Sequence, residues 1–222
     1  MLIAFEGQDG AGKSALLATV HEQVRSLDVE VLTVEEFSNS PYGQRLIDAV
    51  ARDKFLRPVD GEPATLLTRA LDEVADLYYL DECVIGPALA RGQVVLKDRW
   101  LDTILYTLVP TLVDGGTMAS DAHAAAWLRD LMAHVRHRPE LTVYVEAPLS
   151  VRLERIARRD RHLREHRAKE VNDEDLAVFA RRDRVIQQLV AEDGDRLVVS
   201  NGDRSIDEGA QEVIEVVRKR LA

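Results

Sequence analysis

Short apolar runs alternate with longer stretches of helical spacing from one end of the chain to the other. Leu2–Glu6 (LIAFE) is an apolar run stopped by glycine, the pattern of a buried strand. Leu16, Leu17, Val20, Val24 and Leu27 then recur at helical steps across Lys13–Leu27. Glu30–Glu36 (EVLTVEE) is rich in β-branched residues and predicts a second strand. Ser40-Pro41 opens a helix to Arg52, because proline suits the first helical position. From Ala64 to Ala90 apolar residues keep helical spacing without a strong breaker until Gly86-Pro87, which predicts one long, kinked core helix closed by Arg91-Gly92. Gln93–Lys97 predicts a third strand ending in Asp98-Arg99-Trp100, followed by a helix to about Val113, the turn Asp114-Gly115-Gly116, and a helix through Ala119 to Val135. Leu141–Glu146 and Arg196–Ser200 read as strands; Leu149–Arg159, Asp173–Val190 and Ile206–Leu221 read as helices. Such alternation predicts an α/β sandwich of three layers, a parallel sheet with helices on both faces and ligands at the carboxyl ends of the strands.

Composition narrows the setting. The 222 residues are 46% hydrophobic and 31% charged, which suits one globular domain spanning 1–222. The formal charge of −10 argues against a nucleic-acid polymer as partner, since such binding needs a basic surface. Cys83 is the only cysteine, so no intrachain disulfide or thiolate metal cluster is expected. No basic leader precedes the first strand and no apolar run approaches a membrane span, so the cytoplasm is the expected compartment.

The chemistry begins at the first strand's end. Residues Gly7, Gln8, Asp9, Gly10, Ala11, Gly12, Lys13 and Ser14 read GQDGAGKS, a P-loop placed between strand and helix as its mechanism requires. Its glycines permit a backbone that wraps phosphate, and the following helix directs its positive end at the anion. Lys13 is placed to bridge the β- and γ-phosphates of ATP, and Ser14 to supply a hydroxyl to Mg²⁺. No Asn-Lys-x-Asp guanine reader appears, and no Asp-x-x-Gly switch follows the third strand, which ends instead in Asp98-Arg99. An acidic residue there can hold the water shell of Mg²⁺, and the arginine can grip a phosphoryl group. The stretch 151–167, VRLERIARRDRHLREHR, is dominated by arginine and reads as a lid (about 158–170) that delivers cations to the transferring phosphoryl group and excludes water. Arg158, Arg161, Arg164 and Arg167 are its candidates; the alternative reading is a solvated helix face.

Together, FEGQDGAGKS, PALARGQVVLKDRW, PELTVYVEAPLSVRLERIARR and the arginine-rich lid resemble the thymidylate kinase family over nearly the whole chain. The resemblance implies a five-stranded parallel sheet, a donor site for ATP and Mg²⁺, γ-phosphate transfer to a nucleoside monophosphate with dTMP as first choice, and a homodimer. It carries roles to matching positions: Asp9 beside the acceptor sugar and Mg²⁺, Lys13 on the transferred phosphate, Arg99 on the acceptor phosphate. Gly10 stands where some members have arginine, so the catalytic arginine should come from the lid, with Arg161 and Arg164 as candidates and Arg158 beside the nucleotide. Asn201-Gly202-Asp203 resembles the family's adenine-side loop.

The acceptor half departs from the family pattern. After the second strand stands Glu35-Glu36-Phe37-Ser38-Asn39-Ser40, which keeps only the second acidic residue of the usual motif and puts Glu35 where a phosphate-binding arginine is expected. The thymine-stacking phenylalanine aligns with Glu73, and the base-reading arginine with Leu77. Either another arginine, such as Arg45 or Arg69, replaces the lost cation, or the acceptor carries no phosphate and Glu35 or Glu36 acts as general base on a hydroxyl. Three readings therefore stand: a nucleoside monophosphate kinase, a kinase of an unphosphorylated nucleoside or specialised metabolite, and a non-catalytic nucleotide-binding protein.

Overall fold

The structure is a computed structural model; it describes residues 1–62, 64–162, 171–192, 196–202 and 204–221, without the side chains of 160–162. Five strands, β1 (Leu2–Glu6), β2 (Val31–Val34), β3 (Val94–Asp98), β4 (Leu141–Glu146) and β5 (Arg196–Ser200), form one sheet in the order β2-β3-β1-β4-β5. Every pairing is parallel, with Phe5 opposite both Asp98 and Val143 at the centre. The predicted fold class is therefore the observed one.

Both faces of β1 are buried, which explains its unbroken apolar run. On one face Ile3 and Phe5 pack with Leu16, Val20 and Val24 of α1 (Lys13–Arg25) and with Val213, Ile214 and Val217 of α9 (Ile206–Leu221). On the other face Leu2 and Ala4 join the larger core of α3 (Leu66–Leu80), α5 (Leu101–Asp114), α6 (Asp121–Leu131) and α8 (Asp173–Glu192). Each fully buried aliphatic side chain of these layers contributes about 2 kcal/mol.

The predicted long helix is present but broken in its own way. After α3 the chain widens into a π-helical turn at Asp81–Ile85 and resumes as α4 (Gly86–Ala90). Pro87 has no N–H to continue the regular ladder. The buried Asp81 carboxylate is held from the side, accepting from Arg136 N at 2.8 Å and from His137 N at 3.1 Å. Strand β2 is shorter than predicted: it stops at Val34, and the chain turns through 38–40 into α2 (Pro41–Val50), whose N-cap Ser40 accepts from Tyr42 N and Gly43 N. A third small core, Phe55, Ile156 and Phe179, joins the loop after α2 to α7 (Leu149–His162) and α8.

Candidate active site

Three glycines of the loop after β1 are demanded by both angle and space. Gly7, Gly10 and Gly12 have φ of 139°, 78° and 94°. A Cβ on them would lie 2.4 Å from Val145 O, 2.5 Å from Arg152 O and 2.0 Å from Asn201 Nδ2. The loop's carbonyls are held from outside: Arg152 Nε donates to Asp9 O at 3.2 Å, Arg155 Nη1 to Gly10 O and Ala11 O at 3.2 and 3.1 Å, and Asn201 Nδ2 to Ala11 O at 2.8 Å. These donors fix the loop's curvature over the amino end of α1, where an anion is favoured. The side chain of Gln8 lies elsewhere, buried against α8, where Nε2 donates to Phe179 O at 3.0 Å and to Asp183; only the backbone of Gln8 belongs to the cradle.

Lys13 is 7% exposed and ion-paired with Asp98 at the end of β3. Ser14, Asp98, Thr33 and Glu35 line one groove together with His21 and Glu22, so hydroxyl and carboxylate oxygens meet there beside an imidazole whose Nδ1 is 2.8 Å from the Thr33 hydroxyl. Arg99 follows in a left-handed conformation, φ 59°, with its N–H given to Phe5 O at 2.9 Å. A bulky residue there is strained, and such strain collects at functional positions. Its guanidinium donates to Asp9 Oδ1 at 3.0 Å and to the Tyr106 hydroxyl, and its Nε stands 3.2 Å from Glu36 Oε2 as an ion pair. Burial alone would raise the Asp9 carboxyl, but Arg99, Arg182, Arg159 and Lys13 together hold it below the ordinary aspartate range. Burial likewise disfavours the Arg99 cation, yet Tyr106, Glu36, Asp9 and Asp98 hold its pKa well above the usual value.

Glu6 explains why helix α5 begins where it does. Trp100 precedes the helix and offers no side-chain cap. The fully buried Glu6 carboxylate supplies one, accepting from Trp100 N at 2.8 Å, from Thr103 N at 3.4 Å and from the Thr103 hydroxyl. Burial first, and then the Asp102 charge, pushes Glu6 up to about 7.

Beside Arg99 opens a slot lined on its apolar side by Phe37, Leu46, Leu77, Leu80, Trp100 and Ile104. Glu36, Glu73, Asp76 and Lys97 complete it. Asp76 fixes the rim, accepting from Ser38 N at 3.0 Å, from Ser40 Oγ at 3.3 Å and from the Ser38 hydroxyl. Lys97, fully buried, donates to the carbonyls of Glu35, Glu36 (3.0 Å) and Asp98 (2.7 Å), pinning the chain after β2 to β3; burial pushes its pKa down to about 8. Glu73 is 4% exposed and its Oε1 has no hydrogen-bond partner among the described residues. Burial, reinforced by Glu36 and opposed by Arg182, Arg69 and Arg99, pushes Glu73 up to about 8, so it is mainly a neutral carboxylic acid near pH 7.

The structure brings Asp9, Lys13, Asp98 and Arg99 together by ion pairs and places Glu36, Glu73 and Leu77 with Arg99 in the lining of the slot. It corrects four other expectations. Glu35 lines the groove of Ser14 and Asp98 and is absent from the slot's lining. Neither arginine expected to replace the lost cation does so: Arg45 is 66% exposed and pairs with Asp72, while buried Arg69 is held by Glu62. Arg158, 71% exposed, pairs with the exposed Glu154 at the surface of α7, about one turn beyond Arg155, which reaches the cradle. The Arg161 side chain, Arg164, Arg167 and Asp203 lie outside the described residues.

Other contributors escaped the sequence reading. Arg152 and Arg155 sit three apart on one face of α7, a spacing that marks a shared surface but not what it touches. Arg182 and Asp76 carried no local signal at all, since a charge on a helix is exposed by default.

The comparisons agree with this geometry. The family model described as thymidylate kinase matches residues 5–213. A thymidylate kinase of Geobacillus thermodenitrificans (strain NG80-2) is 29% identical over 224 residues, covering 98% of this chain and 89% of its own length. The crystal structure of thymidylate kinase from Ehrlichia chaffeensis superposes with a TM-score of 0.67 at 17% identity, covering 98% of both chains, which shows a shared fold. Cradle, sheet order and family match coincide, and the chain belongs to the thymidylate kinase family.

Proposed function

We propose that the protein transfers the γ-phosphate of ATP to a nucleoside monophosphate bound in the slot beside Arg99, with dTMP, the acceptor its relatives' name gives, as the first to test. One observation carries the reading: Asp98 and Arg99, consecutive residues at the end of β3, join the two halves of the site. Asp98 pairs with Lys13 of the cradle, while Arg99 reaches Asp9 and the rim of the slot. A phosphoryl group passing between the halves would travel between cations already in place, which is where most catalysis of phosphoryl transfer lies.

Roles follow from position. The cradle Gly7–Ser14 binds the donor's phosphates, and Lys13 exchanges Asp98 for them. Ser14 and Asp98 fit Mg²⁺, a hard cation that takes few protein oxygens and keeps its waters. When bound, that ion neutralises charge on the donor phosphates. Asp9, ionised and next to Arg99, orients the acceptor's reacting end; Arg99 holds its charge; Glu36 holds Arg99. Leu77 and Glu73 contact the rest of the acceptor. Arg161 and Arg164 are assigned to the lid and act on the donor side.

The test incubates the full chain with labelled ATP and Mg²⁺ and a panel of nucleosides and their monophosphates. Label is expected in a diphosphate, dTDP first, and chelation of Mg²⁺ should abolish transfer. Transfer to unphosphorylated acceptors alone would sink this reading, and ATP binding without transfer to any acceptor would favour a nucleotide-binding protein.

A further inference from the structure

The acceptor's phosphate needs cations, and Arg99 shares its charge with two carboxylates and a phenol. The position expected to supply a second arginine holds Glu35, which faces away, and Arg45 and Arg69 are occupied elsewhere. Arg182 and Arg159 both act on Asp9, and of the two Arg182 also acts on Arg99 and Glu73. Arg182, on α8, is 8% exposed, and among the described residues nothing hydrogen-bonds to it; its buried Nε is without a partner. Its guanidinium carbon lies over the Phe55 ring, 5.0 Å from the ring centre, a contact that holds the group without using its donors. The groups that feel its charge converge from separate elements: Tyr106 of α5, Asp9 of the cradle, Arg99 after β3 and Glu73 of α3.

A buried cation with no hydrogen bond is costly, and proteins keep one where a ligand completes it. Arg99 and Arg182 lie close enough for the charge of Arg99 to disfavour that of Arg182, and a shared anion relieves such repulsion. We infer that Arg182, acting with Arg99, is the second cation for the phosphomonoester of the acceptor, replacing the arginine that Glu35 displaced. The inference rests on the reading above and deepens it, because it makes a phosphate-bearing acceptor, rather than a free hydroxyl compound, the ligand that the buried charge fits. The planar fork of Arg182 suits phosphate oxygens better than a lysine would. Glu73, between Arg182 and the apolar slot, is left to meet the nucleoside portion.

The experiment compares full-length wild type with R182K, R182Q and R182M. Thermal melts first establish that each variant folds. Binding of dTMP, of thymidine and of ATP is then measured separately by calorimetry, and the KM for each nucleotide by steady-state assay. R182Q should weaken dTMP by roughly tenfold or more, the scale of one charge-assisted hydrogen bond. Thymidine and ATP should stay within about twofold of wild type, with R182K intermediate for dTMP. Unchanged dTMP affinity overturns the assignment. So does an equal loss for dTMP and thymidine, which marks a packing role, or a loss confined to ATP, which moves Arg182 to the donor side. If wild type binds no nucleoside monophosphate of a pyrimidine and purine panel, the proposed function fails as well; if it binds dTMP and R182Q does so equally, this inference alone fails.

Discussion

Arg99 and Asp9 close the end of the sheet between them: Nη2 of the arginine donates to Oδ1 of the aspartate at 3.0 Å, across the two central strands β1 and β3. The pair is held at both ends. Tyr106 and Glu36 take other nitrogens of the fork, and the φ of 59° fixes the backbone from which it projects. Replacing Arg99 by lysine keeps the charge and removes the fork, so one ammonium cannot serve Asp9, Glu36 and Tyr106 together. Arg99→Lys should lower kcat/KM by roughly 100-fold, the scale of losing a preorganised donor, in a steady-state assay with melting temperature as control. An unchanged kcat/KM would remove Arg99 from the phosphoryl path.

Lys13→Ala removes the cradle's cation and leaves Asp98 without its partner. Turnover should fall by at least ~100-fold. Near-normal turnover at saturating ATP would refute the role given to Lys13.

Gly10 tests the backbone of the cradle. At φ 78°, a Cβ would stand 2.5 Å from the carbonyl oxygen of Arg152, which is backbone and cannot swing aside. Gly10→Ala should cost about 1–3 kcal/mol in denaturant unfolding and weaken ATP binding, because the carbonyl bonds of Arg152 and Arg155 lose their register. A stable variant with normal ATP affinity would contradict the crowding.

Glu73 predicts a pH dependence. Its pKa rises from 4.5 in the unfolded chain to about 8 in the folded protein, so folding takes up a proton between those values. The contribution to stability is complete below pH 4.5 and is lost as pH rises towards about 8. Glu6, pushed to about 7, has the same sign but is present in wild type and variant alike. Glu73→Gln should therefore gain stability relative to wild type between pH 5 and 8, read from denaturation midpoints across that range. A constant difference across the range would show that Glu73 does not change its protonation on folding.

The sheet was legible in the chain because its inner strands β1, β3 and β4 are apolar runs buried on both faces, while the half-buried edge strands β2 and β5 are marked by β-branched residues. Leu2–Glu6, Leu141–Glu146 and Arg196–Ser200 match their predicted limits. The donor half was legible for the same local reason: a cradle built from consecutive residues writes its spacing into the sequence. The acceptor half is assembled from α3, α5, α8 and two loops, and no spacing links Arg182 to Asp9 or Asp76 to Ser38. Glu35 shows the other limit. Adjacent residues at the end of a strand point to opposite sides, so Glu36 enters the slot while Glu35 lines the groove of Ser14, and one position's offset decides which carboxylate meets which ligand.

Phe55 and Phe179 meet edge to face, ring centres 5.3 Å apart, and nearby Lys54 and Arg57 both reach the buried carboxylate of Asp175. The turn that follows α2 and the opening turns of α8 are thereby fastened into a single unit. Arg182 and Arg152 lean on the same two rings, one toward the acceptor and the other on the donor loop. One aromatic pair therefore stands under cations of both halves of the site.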